Sequence, residues 1–179
     1  MKRIATQLIL LAGVILMQTA CTKKNDLEKV GINDANLTTC PANSDCDYLF
    51  TENADVEGTV PTFKSGNYRM FWAEISEPGV DSKLYIKAPM TGNSFLLDKS
   101  SIVSGSVVWY QSCAACLMFP LRPISDGYVK GVNLTPGRPA DQAKWLVEAK
   151  VILEDASGGS TFRDTLYVKQ HFYPNFVYN

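Results

Sequence analysis

Histidine is almost absent from this sequence: among 179 residues there is one, His171. A Ser-His-Asp or Cys-His site would have to use it, and a histidine-based metal centre needs two or three. No G-x-S-x-G elbow accompanies it, and no G-x-x-x-x-G-K-[ST] or G-x-G-x-x-G phosphate loop is present. Neither sign of charge dominates, with 17 Lys and Arg against 18 Asp and Glu. The chain therefore has no basic surplus to neutralise phosphates, which argues against a nucleic-acid partner. The uncharged apolar run Leu8–Met17 is about half the ~20 residues of a spanning helix. What the chain does have is 46% hydrophobic residues, far too many for a disordered polymer.

The first 20 residues have the three parts of an export signal: Lys2 and Arg3, the apolar run, then small residues at Thr19 and Ala20. Cys21 follows directly. Gln18-Thr19-Ala20-Cys21 resembles the lipobox of bacterial lipoproteins, with Gln18 where the pattern usually has Leu. The resemblance covers only these first 21 residues. It implies cleavage before Cys21, a diacylglycerol on that sulfur and, often, an acyl group on the freed amine. Each buried acyl CH₂ contributes ~0.8 kcal/mol, so two or three chains hold a protein durably to a bilayer. The expected location is the bacterial envelope, most simply the outer membrane, and the membrane is then the first partner. Plain secretion and an uncleaved anchor are the alternatives.

Residues 21–39 are polar and lack apolar periodicity, which predicts a flexible tether. Lys23, Lys24, Asp26 and Glu28 resemble a surface-export signal of Bacteroidota-like lipoproteins, although a solvated spacer has the same composition. Residues 40–179 read as a single β-rich domain. Short alternating segments are expected at 48–50, 68–75, 83–88, 106–111, 128–134, 144–154 and 161–173. Alternation is clearest in the last two. Val147, Ala149, Val151 and Leu153 share one face, as do Leu166, Val168 and Phe172, and the Gly-rich stretch 155–160 predicts a long antiparallel hairpin. Asp141-Gln142-Ala143 allows one helical turn. About seven strands without helical periods predict an all-β fold, an antiparallel β-sandwich of immunoglobulin-like type. The alternative is a lipocalin-like barrel whose cavity Tyr68, Trp72, Tyr85, Trp109, Tyr110 and Trp145 would line, although aromatics of this kind also make ordinary core.

Apart from Cys21, four cysteines remain, Cys40, Cys46, Cys113 and Cys116, an even number suited to disulfides in an oxidising compartment. Three pairings are possible, and the preferred one is local, Cys40 with Cys46 and Cys113 with Cys116. Cys113-Ala114-Ala115-Cys116 also has redox-pair spacing, which would make the protein a thiol-disulfide oxidoreductase. Its flanks read as strand, however, without the helix that lowers a thiol pKa. Four thiolates could instead hold zinc, but the C-x₅-C spacing is wider than a zinc ribbon's.

Glu52, Asp55, Glu57, Glu74 and Glu77 could supply a glycosidase pair if two of them converged. Asn36-Leu37-Thr38 and Asn133-Leu134-Thr135 match an N-glycosylation pattern, and Asp164-Thr165-Leu166 resembles a Bacteroidota O-glycosylation sequon. The last is read as the start of a strand. The expectation is a lipid-anchored, non-catalytic binding or structural module without a cofactor, whose partner is an envelope protein or glycan. A lipocalin-like carrier of a small hydrophobic ligand is the alternative, beside the thiol oxidoreductase.

Overall fold

A computed structural model describes residues 30–113, 121–155 and 163–176. The chain is all-β, with β1 (Asp45–Glu57), β2 (Thr62–Ser65), β3 (Tyr68–Glu77), β4 (Val80–Pro89), β5 (Ser94–Leu97), β6 (Val107–Cys113), β7 (Leu121–Asn133), β8 (Trp145–Asp155) and β9 (Arg163–Pro174). All seven anticipated strands are present, most of them longer than expected, together with two short ones, β2 and β5. The expected helical turn is a single 3₁₀ turn, Ala140–Gln142.

The strands form one sheet in the order β5-β7-β8-β9-β1-β3-β4-β6, with β2 paired to β1. Its halves join through a short parallel contact, Leu49 with Tyr173 and Phe50 with Pro174, extended by the Asn175 amide donating to Phe50 O at 2.8 Å. All other pairings are antiparallel. The sheet curls into a half-barrel around one main core. A helical link, Lys99–Ser101 followed by Ile102–Ser106, runs between β5 and β6, and its Ile102 is buried in that core.

Alternation explains which side chains are inside. The β8 residues Val147, Ala149, Val151 and Leu153 face the core, and so do Leu166, Val168 and Phe172 of β9, as their pattern requires. The hairpin register pairs Trp145 with Phe172 and Glu154 with Arg163; the expected turn lies largely outside the described residues. At the centre, Phe71 contacts four rings, Phe50, Phe95, Trp145 and Phe172, with centroids 5.4 to 5.6 Å away. Gly131 makes room for one of them, since a Cβ there would lie 2.1 Å from the Phe95 ring.

One charged residue enters this aromatic centre. The Arg69 guanidinium lies 4.4 Å from the Trp145 ring centroid. It meets Glu52 Oε1 through Nε at 2.9 Å and Nη2 at 2.8 Å, and Nη2 donates to Met90 O at 3.0 Å. Every strong interaction of this cation is thus made within the protein, as a buried charge requires.

The tether expected over 21–39 is corrected in its second half. Residues 21–29 lie outside the described residues, but 30–39 lie against the outer face of β7, β8 and β9. Ile32 packs with Val132 and Leu146. Thr38 exchanges two bonds with Lys169, its amide to Lys169 O and its Oγ1 from the Lys169 amide, both at 2.8 Å. The Lys169 ammonium donates to Asn33 Oδ1 at 3.0 Å and Ala35 O at 2.6 Å. Polar composition suggested solvated chain, whereas these polar groups satisfy a buried lysine.

Candidate functional site

The register places Tyr48, Ala73, Leu84 and Trp109 in one row across β1, β3, β4 and β6. Tyr48 and Trp109 pack against the main core, so the row faces inward. Ala73 and Leu84, 3% and 1% exposed, form its floor. At its two ends, Tyr48 Oη and Trp109 Nε1 are buried, and no described residue offers either a hydrogen bond. Burial pushes the Tyr48 phenol above its ordinary pKa, which keeps it protonated and able to donate. The next inward row is Cys46, Ile75, Ser82 and Gln111, where Gln111 Nε2 donates to Ser82 Oγ at 3.1 Å. Buried donors without partners are rare in folded proteins, and each costs about 1–3 kcal/mol. Two in one row distinguish this part of the interior from ordinary core.

The aromatics expected to line one cavity are divided between the two faces. Trp109 and Trp145 belong to the inner side. Trp72, Tyr85 and Tyr110 belong to a separate outer cluster that the β2 residue Phe63 covers, with its ring centroid 4.8 Å from Trp72. Tyr68 is exposed beside Lys87. The cause is the two-residue period of a strand: Trp72 follows the inward Phe71, and Tyr85 follows the inward Leu84.

A second polar arrangement lies on the outer face of β7, β8 and β9. Tyr128, Lys150 and Tyr167 form one row, and Lys130, Glu148 and Lys169 the next. Tyr128 Oη donates to Glu148, and that carboxylate pushes the phenol up to about 12. Lys130 lies 4.5 Å from the Tyr128 ring centroid and 3.8 Å from Glu148 Oε1. A shallow hollow of about 240 Å³ lies beside them, lined by Asp126, Gly127, Tyr128, Lys150 and Ile152. It is smaller than the ~300 Å³ at which small-molecule pockets usually begin. Asp126-Gly127 sits at a β-bulge between Pro123 and Gly127. Gly127 has φ +128°, and a Cβ there would lie 2.1 Å from Lys150 O.

The carboxylates considered for glycoside hydrolysis are engaged separately. Glu52 binds Arg69, Asp55 binds Lys87 at 2.6 Å, Glu57 binds Lys64 at 2.6 Å and Glu74 binds Lys83 at 2.7 Å. Glu77 accepts from Ser44 Oγ at 3.5 Å. His171 is on the outer face, its Nε2 2.6 Å from Asp34 Oδ1 without forming a hydrogen bond. Among the described residues, no three His, Cys, Asp or Glu side chains gather where they could hold a metal ion.

Cys40 and Cys46 form a disulfide with Cα atoms 5.9 Å apart, closing the turn that leads into β1. Their sulfurs are therefore not free to ligate zinc. Cys113 is also disulfide-bonded and sits at the end of β6, paired with Val80 on β4, not at a helix N-terminus. Cys116 and Cys21 lie outside the described residues. Asp164-Thr165-Leu166 is in β9, where Asp164 Oδ1 accepts from the Thr165 amide at 2.7 Å. No described helix is long and apolar enough to cross a membrane.

Sequence reasoning missed Tyr48 as a site residue, together with the buried charges of Arg69, Glu148 and Lys169. Tyr48 was legible only as the start of a strand, because its importance comes from a partner three strands along the register. No family model matches the chain, and neither does any curated protein or solved structure.

Proposed function

We propose that this chain is a bacterial envelope lipoprotein, lipidated at Cys21, whose β domain is a non-catalytic binding module with its binding surface inside the half-barrel. The observation that carries the reading is the pair of buried donors Tyr48 Oη and Trp109 Nε1 on one inward row. A module that only filled its core would have little reason to retain them.

Of the two β architectures, we favour the barrel of carrier type over the immunoglobulin-like sandwich. Its support is the single continuous strand order, which curls a sheet around one core, where a sandwich packs two separate sheets. The separate engagement of the carboxylates and the strand-end position of Cys113 favour binding over glycosidase or thiol-exchange chemistry.

The lipobox resemblance supports the anchor. Since 30–39 lie on the sheet, only eight residues, 22–29, separate the lipid site from the folded body. Even fully extended they span at most about 30 Å, so the domain would stand close to the bilayer.

Expression in a bacterial host supplied with an alkyne-tagged palmitate, followed by detergent phase partitioning, tests the anchor. The wild type should be tagged and enter the detergent phase, and Cys21→Ala should do neither. An untagged, water-soluble wild type would overturn the lipoprotein reading.

A further inference from the structure

We propose that the inward row Tyr48, Ala73, Leu84 and Trp109 binds a neutral, largely apolar molecule that carries a carbonyl or ester oxygen, which accepts a hydrogen bond from Tyr48 Oη or Trp109 Nε1. This deepens the binding-module reading and rests on it. The ligand class follows from three properties of the row. First, an indole N–H can only donate, and a phenol held neutral in a buried site is a donor in want of an acceptor. Complementarity therefore asks for oxygen acceptors, since a ligand offering only donors could meet the phenol oxygen at most and would leave the indole N–H and the phenol proton unmet.

Second, the surroundings are apolar. Ala73 and Leu84 lie between the two donors, the Phe172 ring packs edge-on against Tyr48 at 5.7 Å, and Leu166 borders the same core. Hydrocarbon fits such a floor, and Ala73 is the small residue in it. Three inter-strand steps separate the donors, at most about 14 Å along the sheet, and its curl shortens the distance across. That is the length of a two-ring aromatic or a short acyl ester.

Third, among the described residues the inner side supplies no available cation. Arg69 is committed to Glu52 and to the carbonyl of Met90. A bare carboxylate would lose its hydration there without a counter-charge, which is costly, so a neutral carbonyl is preferred to a fatty-acid anion.

The test uses the folded chain and two dyes, 6-propionyl-2-dimethylaminonaphthalene and 6-propyl-2-dimethylaminonaphthalene, which share rings, amine and carbon count and differ in the carbonyl oxygen. Fluorescence titration should show the ketone binding about fivefold tighter than the propyl analogue, the worth of one ordinary hydrogen bond. The Tyr48→Phe/Trp109→Phe double variant should lose that preference while keeping the affinity for the propyl analogue. Its thermal midpoint without dye should be equal or higher, since two unmet donors are gone. Should the double variant fold poorly, ¹⁵N and ¹³C spectra of the wild type give the same answer: the Trp109 indole N–H or the Tyr48 ring carbon resonances should shift with the ketone and stay in place with the propyl analogue. Equal binding of the two dyes, or a preference that survives in the double variant, would overturn the donor assignment and leave the binding reading standing. Binding of neither dye, with unmoved resonances, would overturn this inference together with small-ligand binding.

Discussion

Tyr48 and Trp109 occupy opposite ends of one inward row, separated by Ala73 and Leu84, and each buries a donor that no described residue meets. The contrast with Arg69 is instructive. That residue carries a full charge into the same interior, and Glu52 and Met90 O answer it. The fold can thus satisfy a demanding polar group among its aromatics, so the unmet pair is a local property of one row.

Arg69→Met removes the guanidinium from beside Glu52, whose side chain is 21% exposed, and from the face of Trp145. The loss expected in urea unfolding is about 3 kcal/mol, typical of a broken buried pair. Arg69→Met/Glu52→Gln should recover part of it, because the orphaned carboxylate is also removed. A double variant no more stable than the single would mean that the ion pair is not the source of the loss.

Gly127→Ala adds a Cβ 2.1 Å from Lys150 O at φ +128°, a conformation that side chains rarely adopt. Gly79→Ala, at φ +84° with nothing within 4 Å, carries the backbone strain alone. The Gly79 variant should lose about 1–2 kcal/mol, and the Gly127 variant clearly more, as read by thermal unfolding. Equal losses would refute the close approach at the bulge.

Folded Tyr128 is pushed up to about 12 because it donates to Glu148, whereas an unfolded tyrosine titrates near 10. The folded state therefore holds this proton more tightly. Its contribution to stability is fully present below pH 10 and is lost as pH rises toward 12. Stability measured between pH 9 and 12 should fall more steeply in the wild type than in Tyr128→Phe, and identical slopes would exclude the linkage.

The contacts of residues 30–39 with the outer face make them part of the domain. Ile32→Ser removes a side chain only 4% exposed and should cost about 2–3 kcal/mol. In hydrogen exchange, the Thr38 amide, bonded to Lys169 O, should be protected. Rapid exchange there, with an unaffected Ile32→Ser variant, would restore the whole segment to the tether.

The strand pattern was legible in the sequence because alternation reports one buried face, and β8 and β9 carry it most plainly. Strand β2 was not, since Thr62–Ser65 is short and covers an outer patch without filling the core. The packing of 30–38 escaped for a different reason: Asn33, Asp34 and Thr38 are typical of solvated chain, and only the buried Lys169 and neighbouring His171 give them structural work. The candidate row was half legible. Trp109 stood out as an aromatic, but its relation to Tyr48 depends on a register spanning four strands, which no local window contains.

The most direct test is mass spectrometry of the protein purified from the membranes of its native host, recorded under denaturing and then native conditions. The denatured mass should correspond to a chain starting at Cys21 with two or three acyl groups, and the native mass should exceed it by one neutral, apolar molecule. An unmodified start, or a native mass equal to the denatured one in protein that also ignores the ketone dye, would contradict a lipid-anchored carrier of small molecules.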